Sequence, residues 1–259
     1  MRYKRIAVIV GHSKLKGGKY TSANGVKNEY LYNKELGTQI KKWLDNTGQP
    51  NDLIICPEDK FTSAKEEPNY KLPIVNSGKY DLVVELHLNA YNGNAKGSEV
   101  LYYSNSGKVI AQRIQNKLKT VFTNRGIKQR TDLYILKSKP VAILLETFFC
   151  DNKNDCSIAD SKGVKEIARL IAEGILDTTV KEVNTNTNTN STYVVNTDVL
   201  NVRSGRGSEH SKVGTLKKND KVEIWSIAKD SKGNDWGSFR YSFNPDIIGY
   251  VHMGYLKKI

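Results

Sequence analysis

The sequence contains few cysteines and no long apolar run. Three cysteines in 259 residues are too few for a disulfide framework, so we expect free thiols. No stretch approaches the roughly 18 consecutive apolar residues of a membrane span, which predicts no membrane insertion. The longest early apolar run, from Ile6 to Val10, is too short for the core of a signal peptide. We therefore expect a chain made for the cytosol.

Several catalytic signatures are also missing. The chain has no H-E-x-x-H motif, which excludes thermolysin-like zinc peptidases, and no P-loop, G-x-G-x-x-G or G-x-S-x-G motif. Cys150 and Cys156 lack the short spacing of a zinc knuckle. The composition, with 38% hydrophobic and 26% charged residues, is that of a globular protein and excludes wholesale disorder, collagen and coiled coil.

Positive charge is in excess. The 40 Lys and Arg residues outnumber the 27 Asp and Glu residues and give a formal net charge of +13. This balance favours a polyanionic partner such as DNA, RNA, anionic lipid or the teichoic-acid-rich bacterial wall. The excess is spread along the chain, without a block of Lys and Arg or a basic helix of the kind that fits a groove of nucleic acid. Charge alone does not choose among these partners.

An uncharged tract of alternating Asn and Thr divides the chain, and such a tract has nothing to bury. We predict a first domain at residues 1–183, a linker at 184–192 and a second domain at 193–259. Apolar runs alternate with helical patterns in the first domain, which predicts an α/β fold with a mostly parallel six-stranded sheet and helices on both faces. Short strands broken by turn residues predict a small all-β barrel in the second.

Buried strands are expected where a run is apolar on both faces, and helices where apolar residues recur at helical spacing. The predicted strands of the first domain are Arg5 to Val10, Asp52 to Cys56, Asp81 to His87, Glu99 to Tyr103, Leu133 to Leu136 and Val141 to Glu146. The helical stripes are Tyr32, Leu36, Ile40, Trp43 and Leu44, then Ile110, Ile114, Leu118, Val121 and Phe122, then Val164, Ile167, Ala168, Ile171 and Ile175. The predicted strands of the second domain are Val199 to Arg203, Ser211 to Leu216, Lys221 to Ile227, Trp236 to Tyr241 and Gly249 to Val251.

Polar residues stand where three apolar strands of the first domain end, namely His12, His87 and Glu146. Ligands of open α/β sheets bind beyond the carboxyl ends of the strands. Glu29 is a fourth candidate, because it lies on the apolar stripe of the first helix, in the opening turn, and so points to the rim of the sheet. We expect these four side chains to belong to one site.

Two neutral imidazoles and one carboxylate form the ligand set of a catalytic zinc site, which keeps a fourth position open for water. His12, His87 and Glu29 supply such a set, and Glu146 is then free for proton transfer. Zinc lowers the pKa of a bound water to about 7 and polarises a carbonyl, so such a site can hydrolyse an unactivated amide. The pattern predicts Zn²⁺ as the cofactor.

Three more polar residues are candidates to support the metal ligands from behind. Glu85 shares a strand face with His87, and Asn89 follows at the end of the same strand. Glu99 begins the next predicted strand, where it is also a candidate to fix a loop. Both glutamates are rival carboxylates for the site itself.

This arrangement resembles the zinc-dependent N-acetylmuramoyl-L-alanine amidases of type 3, which occur as bacterial autolysins and phage endolysins. The resemblance covers residues 1 to about 180 and rests on several motifs in a matching order of strands. These motifs are Val8 to His12, Asn28 and Glu29 with Asn33, Asp81 to Ala90, Gly97 to Tyr103, Asp132 to Leu136, and Leu145 to Asn152 followed by Asp155.

The resemblance implies that His12, Glu29 and His87 hold Zn²⁺ and that Glu146 is the catalytic glutamate. The family cleaves the amide between the lactyl group of N-acetylmuramic acid and L-alanine, which separates the stem peptide from the glycan. Zinc would polarise the lactyl carbonyl, while Glu146 takes a proton from the attacking water and passes it to the departing amine. Glu85 stands where many members have Ser, which is a departure from the family pattern.

The second domain resembles the bacterial SH3-like modules attached to wall hydrolases, which bind the wall and do no chemistry. Arg206 and Gly207 stand where a Pro is usual. Aromatic residues of this domain either form a stacking surface for the wall or belong to the core of the small barrel. The candidates for wall binding are Trp225, Trp236, Tyr241, Tyr250 and Tyr255.

A hydrolase tethered to a wall-binding module suits an insoluble substrate, because the tether raises the local enzyme concentration. We therefore expect an endolysin that acts on the peptidoglycan of a Gram-positive wall, with neither nucleic acid nor membrane as partner. It would stay in the cytoplasm of the producing host until lysis. Two alternatives remain, namely a zinc endopeptidase that cuts within the stem peptide and a non-catalytic wall- or polyanion-binding protein on the same scaffold.

Overall fold

The computed structural model describes residues 3–180, 191–241 and 248–259. The chain divides into two compact units, Met1–Val180 and Lys181–Ile259. The predicted linker at residues 184–192 lies outside the described residues except for Ser191 and Thr192, which belong to a strand of the second unit. The division into residues 1–183 and 193–259 stays a prediction. No helix in the described part of the chain is long and apolar enough to cross a membrane.

The first unit alternates strands and helices, as its apolar pattern predicts. In chain order the elements are β1 (Ile6–Val10), α1 (Glu29–Asn46), β2 (Asn51–Ile54), α2 (Glu67–Val75), β3 (Leu82–Asn89), β4 (Ser98–Tyr102), α3 (Asn105–Leu118), β5 (Asn124–Gln129), β6 (Val141–Phe149), α4 (Lys153–Lys162) and α5 (Val164–Leu176). The first and third predicted helical stripes lie on α1 and α5, and the second lies on α3 and the turn after it.

The six strands form one sheet in the order β2-β1-β3-β6-β4-β5. All neighbouring strands are parallel except β6 and β4, which are antiparallel. On one face Val84 and Leu86 pack in a core with residues of α1, α3 and α5, and on the other face Val83 and Leu144 pack with Val75 of α2. The predicted α/β fold, mostly parallel with helices on both faces, is therefore confirmed.

One of the predicted strands is wrong. Ile135 and Leu136, in the predicted strand Leu133 to Leu136, begin a short 3₁₀ turn at Ile135–Lys137. Both are buried, and a short buried apolar run does not distinguish a strand from a helical turn. The sixth strand is instead β5, an edge strand that pairs only with β4 and exposes most of its side chains. Its backbone hydrogen bonds to β4, rather than buried side chains, define it.

The second unit is all β, as predicted, and its described strands pair antiparallel. The elements are β7 (Ser191–Val195), β8 (Val199–Arg203), β9 (Lys212–Lys217), β10 (Lys221–Ile224), β11 (Ser226–Lys229), β12 (Asp235–Arg240), β13 (Ile248–His252) and β14 (Leu256–Lys258). They form sheets in the orders β10-β7-β14 and β11-β12-β13-β8-β9. The predicted strand Lys221 to Ile227 is divided at Trp225, where the chain passes from one sheet to the other.

Candidate metal centre

Two neighbouring strands and one helix bring three donor residues together. Strands β1 and β3 are parallel and paired up to Val10 and Leu86, so their carboxyl ends meet at the same edge of the sheet. His12 comes two residues after the end of β1, and His87 is the residue of β3 that follows its last pair with β1. Glu29 is the first residue of α1 and is 2% exposed. The positive end of the helix dipole favours a carboxylate at this place.

The backbone at Gly11 and His12 has a conformation that lets the two histidines approach each other. His12 has φ = 64°, a left-handed conformation that is uncommon for a residue other than glycine. The Gly11 N–H donates to Leu86 O at 2.9 Å. A Cβ atom at Gly11 would stand 2.4 Å from His87 Cε1 and 2.6 Å from His87 Nε2. Only glycine leaves room there for the imidazole of His87.

The three donor atoms form a nearly equilateral triangle. His87 Nδ1 lies 3.2 Å from His12 Nε2 and 3.1 Å from Glu29 Oε1, and the latter two atoms are 3.1 Å apart. In a tetrahedral zinc site, donor atoms at their usual bond lengths stand about 3.3 Å apart. His12, Glu29 and His87 are the group that can hold a metal ion among the residues that the structure describes. Donor types and spacing therefore fit the predicted cofactor.

Hydrogen bonds fix the charge of Glu29. Burial opposes its ionisation, but hydrogen bonds with His12 and His87 outweigh burial and hold the pKa of Glu29 well below its usual range. The backbone N–H groups of Ala23 and Leu88 also donate to its two carboxylate oxygens, each at 3.0 Å. Glu29 is therefore an ionised and fixed ligand candidate.

Neighbouring carboxylates favour the protonated form of His87 in the metal-free protein. Burial disfavours its charged form, but the carboxylates of Glu29 and Glu85 outweigh burial and raise the pKa of His87 to about 10. A metal ion accepts only the neutral imidazole. Metal binding at this centre must therefore displace a proton from His87.

Glu146 stands beside the donor triangle. It pairs with His87 in the register of β6 and β3, so both side chains lie on the same face of the sheet. Burial raises the pKa of Glu146 to about 7, and the charges of Glu29 and Glu99 act in the same direction. Its Oε2 atom is buried and has no hydrogen-bond partner in the described residues. A carboxyl group with a near-neutral pKa and a free oxygen suits a general base.

The three predicted supporting residues have different surroundings. Glu85 Oε2 lies 3.5 Å from His87 Nε2, behind the donor triangle. Glu99 Oε2 instead accepts from Arg125 Nε at 2.7 Å and Lys128 Nζ at 2.6 Å, which ties β4 to the edge strand β5. Asn89 Nδ2 is 3.4 Å from Glu99 Oε1. Glu85 is the member of this set that contacts a donor residue directly.

Sequence reasoning missed three buried polar residues near the centre. Lys71, Glu67 and Ser13 are 0%, 7% and 0% exposed. Glu67 and Lys71 stand four positions apart on α2, a spacing typical of an exposed ion pair on a helix surface. The sequence contains no signal that this surface lies against the sheet.

The predicted wall-binding aromatics divide into two groups. Trp236 and Tyr241 are 5% and 9% exposed. Tyr241 belongs to the buried apolar cluster of the second unit, and Trp236 Nε1 donates to Asp230 Oδ2 at 2.9 Å. Of the two alternatives, this burial favours packing over an open stacking surface for both residues, which corrects their choice as wall-binding candidates. Trp225 and Tyr250 are half-buried, and Tyr255 is 50% exposed. A role of these three in wall binding stays a prediction.

Comparison with known proteins agrees with both units. Residues 6–177 match the family of N-acetylmuramoyl-L-alanine amidases, and residues 198–257 match the bacterial SH3 domain. The chain belongs to the N-acetylmuramoyl-L-alanine amidase family, of type 3, and carries a C-terminal bacterial SH3 domain. The resemblance inferred from the sequence motifs is thus confirmed.

One of the similar solved structures is that of an endolysin catalytic domain. The catalytic domain of the CD27L endolysin, described as targeting Clostridia Difficile, is 54% identical, with a TM-score of 0.67. The alignment covers 68% of this chain and 99% of that domain. Cwp6 of Clostridium difficile is 27% identical, with a TM-score of 0.57, over 67% of this chain and 29% of that protein.

Curated relatives are longer than this chain. An uncharacterized cell wall amidase of Bacillus anthracis is 32% identical over 129 residues, which is 44% of this chain and 24% of that protein. An uncharacterized protein of Clostridium perfringens is 29% identical over 69% of this chain, which spans 53% of that protein. The N-acetylmuramoyl-L-alanine amidase LytC of Bacillus subtilis is 28% identical over 61% of this chain and 32% of its own length.

Proposed function

We propose that the protein is a peptidoglycan hydrolase that cleaves the amide between N-acetylmuramic acid and L-alanine of the stem peptide. In this proposal His12, Glu29 and His87 hold a zinc ion, and Glu146 is the general base. The observation that carries it is the triangle of three donor atoms 3.1 to 3.2 Å apart, with a buried carboxylate oxygen beside it that has no partner in the described chain. Family membership supports the choice of bond.

Each residue of the centre has a distinct task. A bound zinc ion would supply an acidified water and polarise the scissile carbonyl. Glu146 accepts a proton from the attacking water and delivers it to the nitrogen of the departing L-alanine. Its raised pKa, about 7, suits both halves of this transfer near neutral pH. Hydrogen bonds with His12 and His87 lower the pKa of Glu29, and two backbone N–H groups hold its oxygens in place.

Digestion of purified Gram-positive peptidoglycan tests the reaction. The wild type should release peptide-free glycan and peptides with a free L-alanine amino terminus, detected by mass spectrometry. We expect Glu146→Gln to lower kcat by about 100- to 10,000-fold. Glu35→Gln, which changes an exposed glutamate of the same unit, is the matched control and should leave kcat unchanged. A chelator should abolish hydrolysis, and added zinc should restore it.

The same digestion separates the alternatives. New termini within the stem peptide would assign the protein as an endopeptidase. Intact peptidoglycan with tight binding would identify a wall-binding protein on an amidase scaffold. Restoration by another divalent metal but not by zinc would change the cofactor, because sites of nitrogen and oxygen donors are separated by geometry and metal supply.

We also propose that the second unit binds a Gram-positive wall and that the protein acts as an endolysin from inside the producing cell. The match to a bacterial SH3 domain and the similarity to the catalytic domain of an endolysin support these points. Sedimentation of the inactive Glu146→Gln protein with intact Gram-positive and Gram-negative sacculi measures the wall preference. Fractionation of producing cells before lysis tests the location, and accumulation in the medium at that stage would contradict it.

A further inference from the structure

Helix α2 contains a lysine that is completely buried. Lys71 is 0% exposed, and its Nζ lies 2.8 Å from Glu85 Oε1 and 4.0 Å from Glu67 Oε2. Lysine is almost never fully buried without a partner. Here it stands between two buried carboxylates, one on its own helix and one on β3. The charge of Lys71 is therefore held in place from both sides.

Glu67 connects this lysine to the segment of His12. Its Oε1 accepts from Ser13 Oγ at 2.8 Å and from Thr21 Oγ1 at 2.7 Å. Ser13 directly follows His12, and its own N–H donates to Thr21 Oγ1 at 2.9 Å. The strained residue His12, with its positive φ, is thus followed by a residue that Glu67 anchors.

Glu85 connects the lysine to His87. While Oε1 of Glu85 accepts from Lys71, its Oε2 lies 3.5 Å from His87 Nε2. The other ring nitrogen, Nδ1, is the one that faces His12 and Glu29. A carboxylate behind a metal-binding histidine fixes the orientation of the ring and keeps the metal-facing nitrogen available.

Stability alone does not account for this arrangement. Burial of an ion pair costs desolvation free energy, and apolar side chains of similar volume are often as stabilising or more so. A chain of contacts, which we call the buried charge chain, runs through Ser13, Glu67, Lys71 and Glu85. At one end Ser13 directly follows His12, and at the other end Glu85 contacts His87. The two histidines come from different strands, and one lysine joins their supports.

We propose that Lys71 is a positioning residue that holds both histidines of the metal centre through the buried charge chain. This inference rests on the proposed function, because it takes His12 and His87 to be metal ligands. The carboxylates beside Lys71 Nζ are those of Glu85 and Glu67, neither of which is a proposed metal ligand. Lys71 acts through Glu67 on the segment after His12 and through Glu85 on the ring of His87.

Zinc affinity of the full-length protein tests the proposal directly. We expect Lys71→Met to raise the zinc dissociation constant by about 10- to 100-fold, the usual effect of removing a partner of a ligand, in competition with a chromophoric chelator. Lys117→Met is the matched control. Lys117 Nζ also pairs with a buried glutamate, Glu173, at 2.8 Å, but Glu173 is not part of the buried charge chain. The control should keep the wild-type constant. A constant for Lys71→Met within twofold of wild type would overturn the proposal.

A double-variant cycle separates positioning from general stability. Lys71→Met and Glu85→Gln should each lose zinc affinity, and the variant with both changes should lose less than the sum of the two losses, because both changes interrupt the contact that reaches His87. Independent, additive losses would contradict the proposal. The visible spectrum of the Co²⁺-loaded protein should change in these variants and not in Lys117→Met. If Lys71→Met does not fold, Glu85→Gln, which keeps the side-chain volume, is judged by the same twofold limit.

Zinc binding and hydrolysis by the wild type distinguish a failure of the proposed function from a failure of the inference about Lys71. A wild type that binds no zinc, or that hydrolyses the wall without any metal, would contradict the proposed function and the inference together. A wild type that binds zinc tightly and needs it for hydrolysis, together with an unaffected Lys71→Met, would contradict the inference alone.

Discussion

A single missing side chain decides where His87 stands. A Cβ atom at Gly11 would meet the His87 ring and Leu86 O at 2.4 to 2.6 Å, so the ring must move when Gly11 is replaced. We expect Gly11→Ala to weaken zinc binding at least tenfold and to lower the free energy of unfolding by about 1–3 kcal/mol through overpacking. Gly107→Ala, where the nearest atom is 3.1 Å away, should leave zinc binding unchanged. Competition titration and urea unfolding measure both effects.

The ionised form of Glu146 should lower the free energy of unfolding of the metal-free protein. An unfolded glutamate has a pKa of about 4.5, whereas burial raises the pKa of folded Glu146 to about 7. Between these pH values the folded state binds the extra proton, so the free energy of unfolding falls as pH rises and the full cost is present above pH 7. We expect Glu146→Gln to stabilise the metal-free protein by about 3 kcal/mol at pH 8.

The stabilisation by Glu146→Gln should disappear near pH 4, where the carboxyl group is protonated in both states. Urea unfolding of both proteins at pH 4, 6 and 8, with chelator present, measures it. An equal difference at all three pH values would show that Glu146 does not titrate in this range.

Zinc binding should release protons, because the pKa of His87 is raised to about 10 in the metal-free protein. At pH 7 the zinc ion must displace the proton of His87, so the apparent affinity should rise about tenfold per pH unit around neutrality. Calorimetric titration in two buffers of different ionisation enthalpy counts the protons, and we expect about one or more per zinc. Binding heats that do not depend on the buffer would contradict the raised pKa.

The candidate ligands could be predicted from the sequence because each stands near one end of a recognisable element. His12 and His87 stand where apolar strands end, and Glu29 lies on the apolar stripe of a helix. Lys71 could not be predicted, since charged residues at helical spacing are usually exposed. Its burial depends on which face of α2 meets the sheet, and this is a property of the packing.

At the scale of elements, two aspartates after β6 hold the segment that follows β3. Asp151 Oδ2 accepts from the N–H groups of Tyr91 and Gly93 at 3.0 and 2.8 Å. Asp155 Oδ2 accepts from Gly97 at 2.8 Å and from Phe149 at 3.0 Å. These two aspartates, which follow β6, therefore fix the path of the segment that leads from β3 to β4.

We expect Asp155→Ala to destabilise the protein by about 2–4 kcal/mol, because it leaves two buried N–H groups without an acceptor. Asp160→Ala, on the exposed side of the same helix, is the control and should change stability by less than about 0.5 kcal/mol. Urea unfolding with an unchanged m-value measures the difference. A loss of less than about 1 kcal/mol for Asp155→Ala would mean that water replaces the carboxylate.

Elements of the sheet could be predicted where burial leaves a pattern. Strands β1, β3 and β6 are apolar on both faces because helices cover both, and the sequence predicts all three. Strands β3 and β6 extend two and three residues beyond their predicted ends, to Asn89 and Phe149. Strand β5 has an exposed polar sequence, and only its partner β4 makes it a strand. An edge strand of this kind carries no hydrophobic period that sequence reasoning can detect.

At the scale of the whole molecule, charge and domain organisation point to a tethered hydrolase. Residues 1–183 hold 29 basic and 20 acidic residues, and residues 184–259 hold 11 and 7, so both parts are positive, at +9 and +4. In the proposed function, electrostatic attraction to an anionic wall polymer acts on both units and weakens with ionic strength. A second unit that binds the wall then keeps the first unit near its insoluble substrate between catalytic events.

Removal of the second unit should therefore separate chemistry from wall binding. The similar catalytic domain of the CD27L endolysin, which this chain covers to 99%, supports the expectation that residues 1–180 fold alone. We expect this fragment to keep the kcat of the full chain within about twofold on a soluble muropeptide. On intact sacculi at low enzyme concentration, its rate should fall by about 10- to 100-fold, because the effective concentration supplied by the tether is lost.

Circular dichroism of the fragment, and its zinc content, establish first that it is folded and loaded. Mixing the fragment with a separately produced second unit should not restore the rate on sacculi, because the effect depends on covalent linkage. Equal rates of the fragment and the full chain on sacculi would show that the second unit does not bind the wall. A matching loss on the soluble muropeptide would instead show that the second unit contributes to the catalytic unit itself.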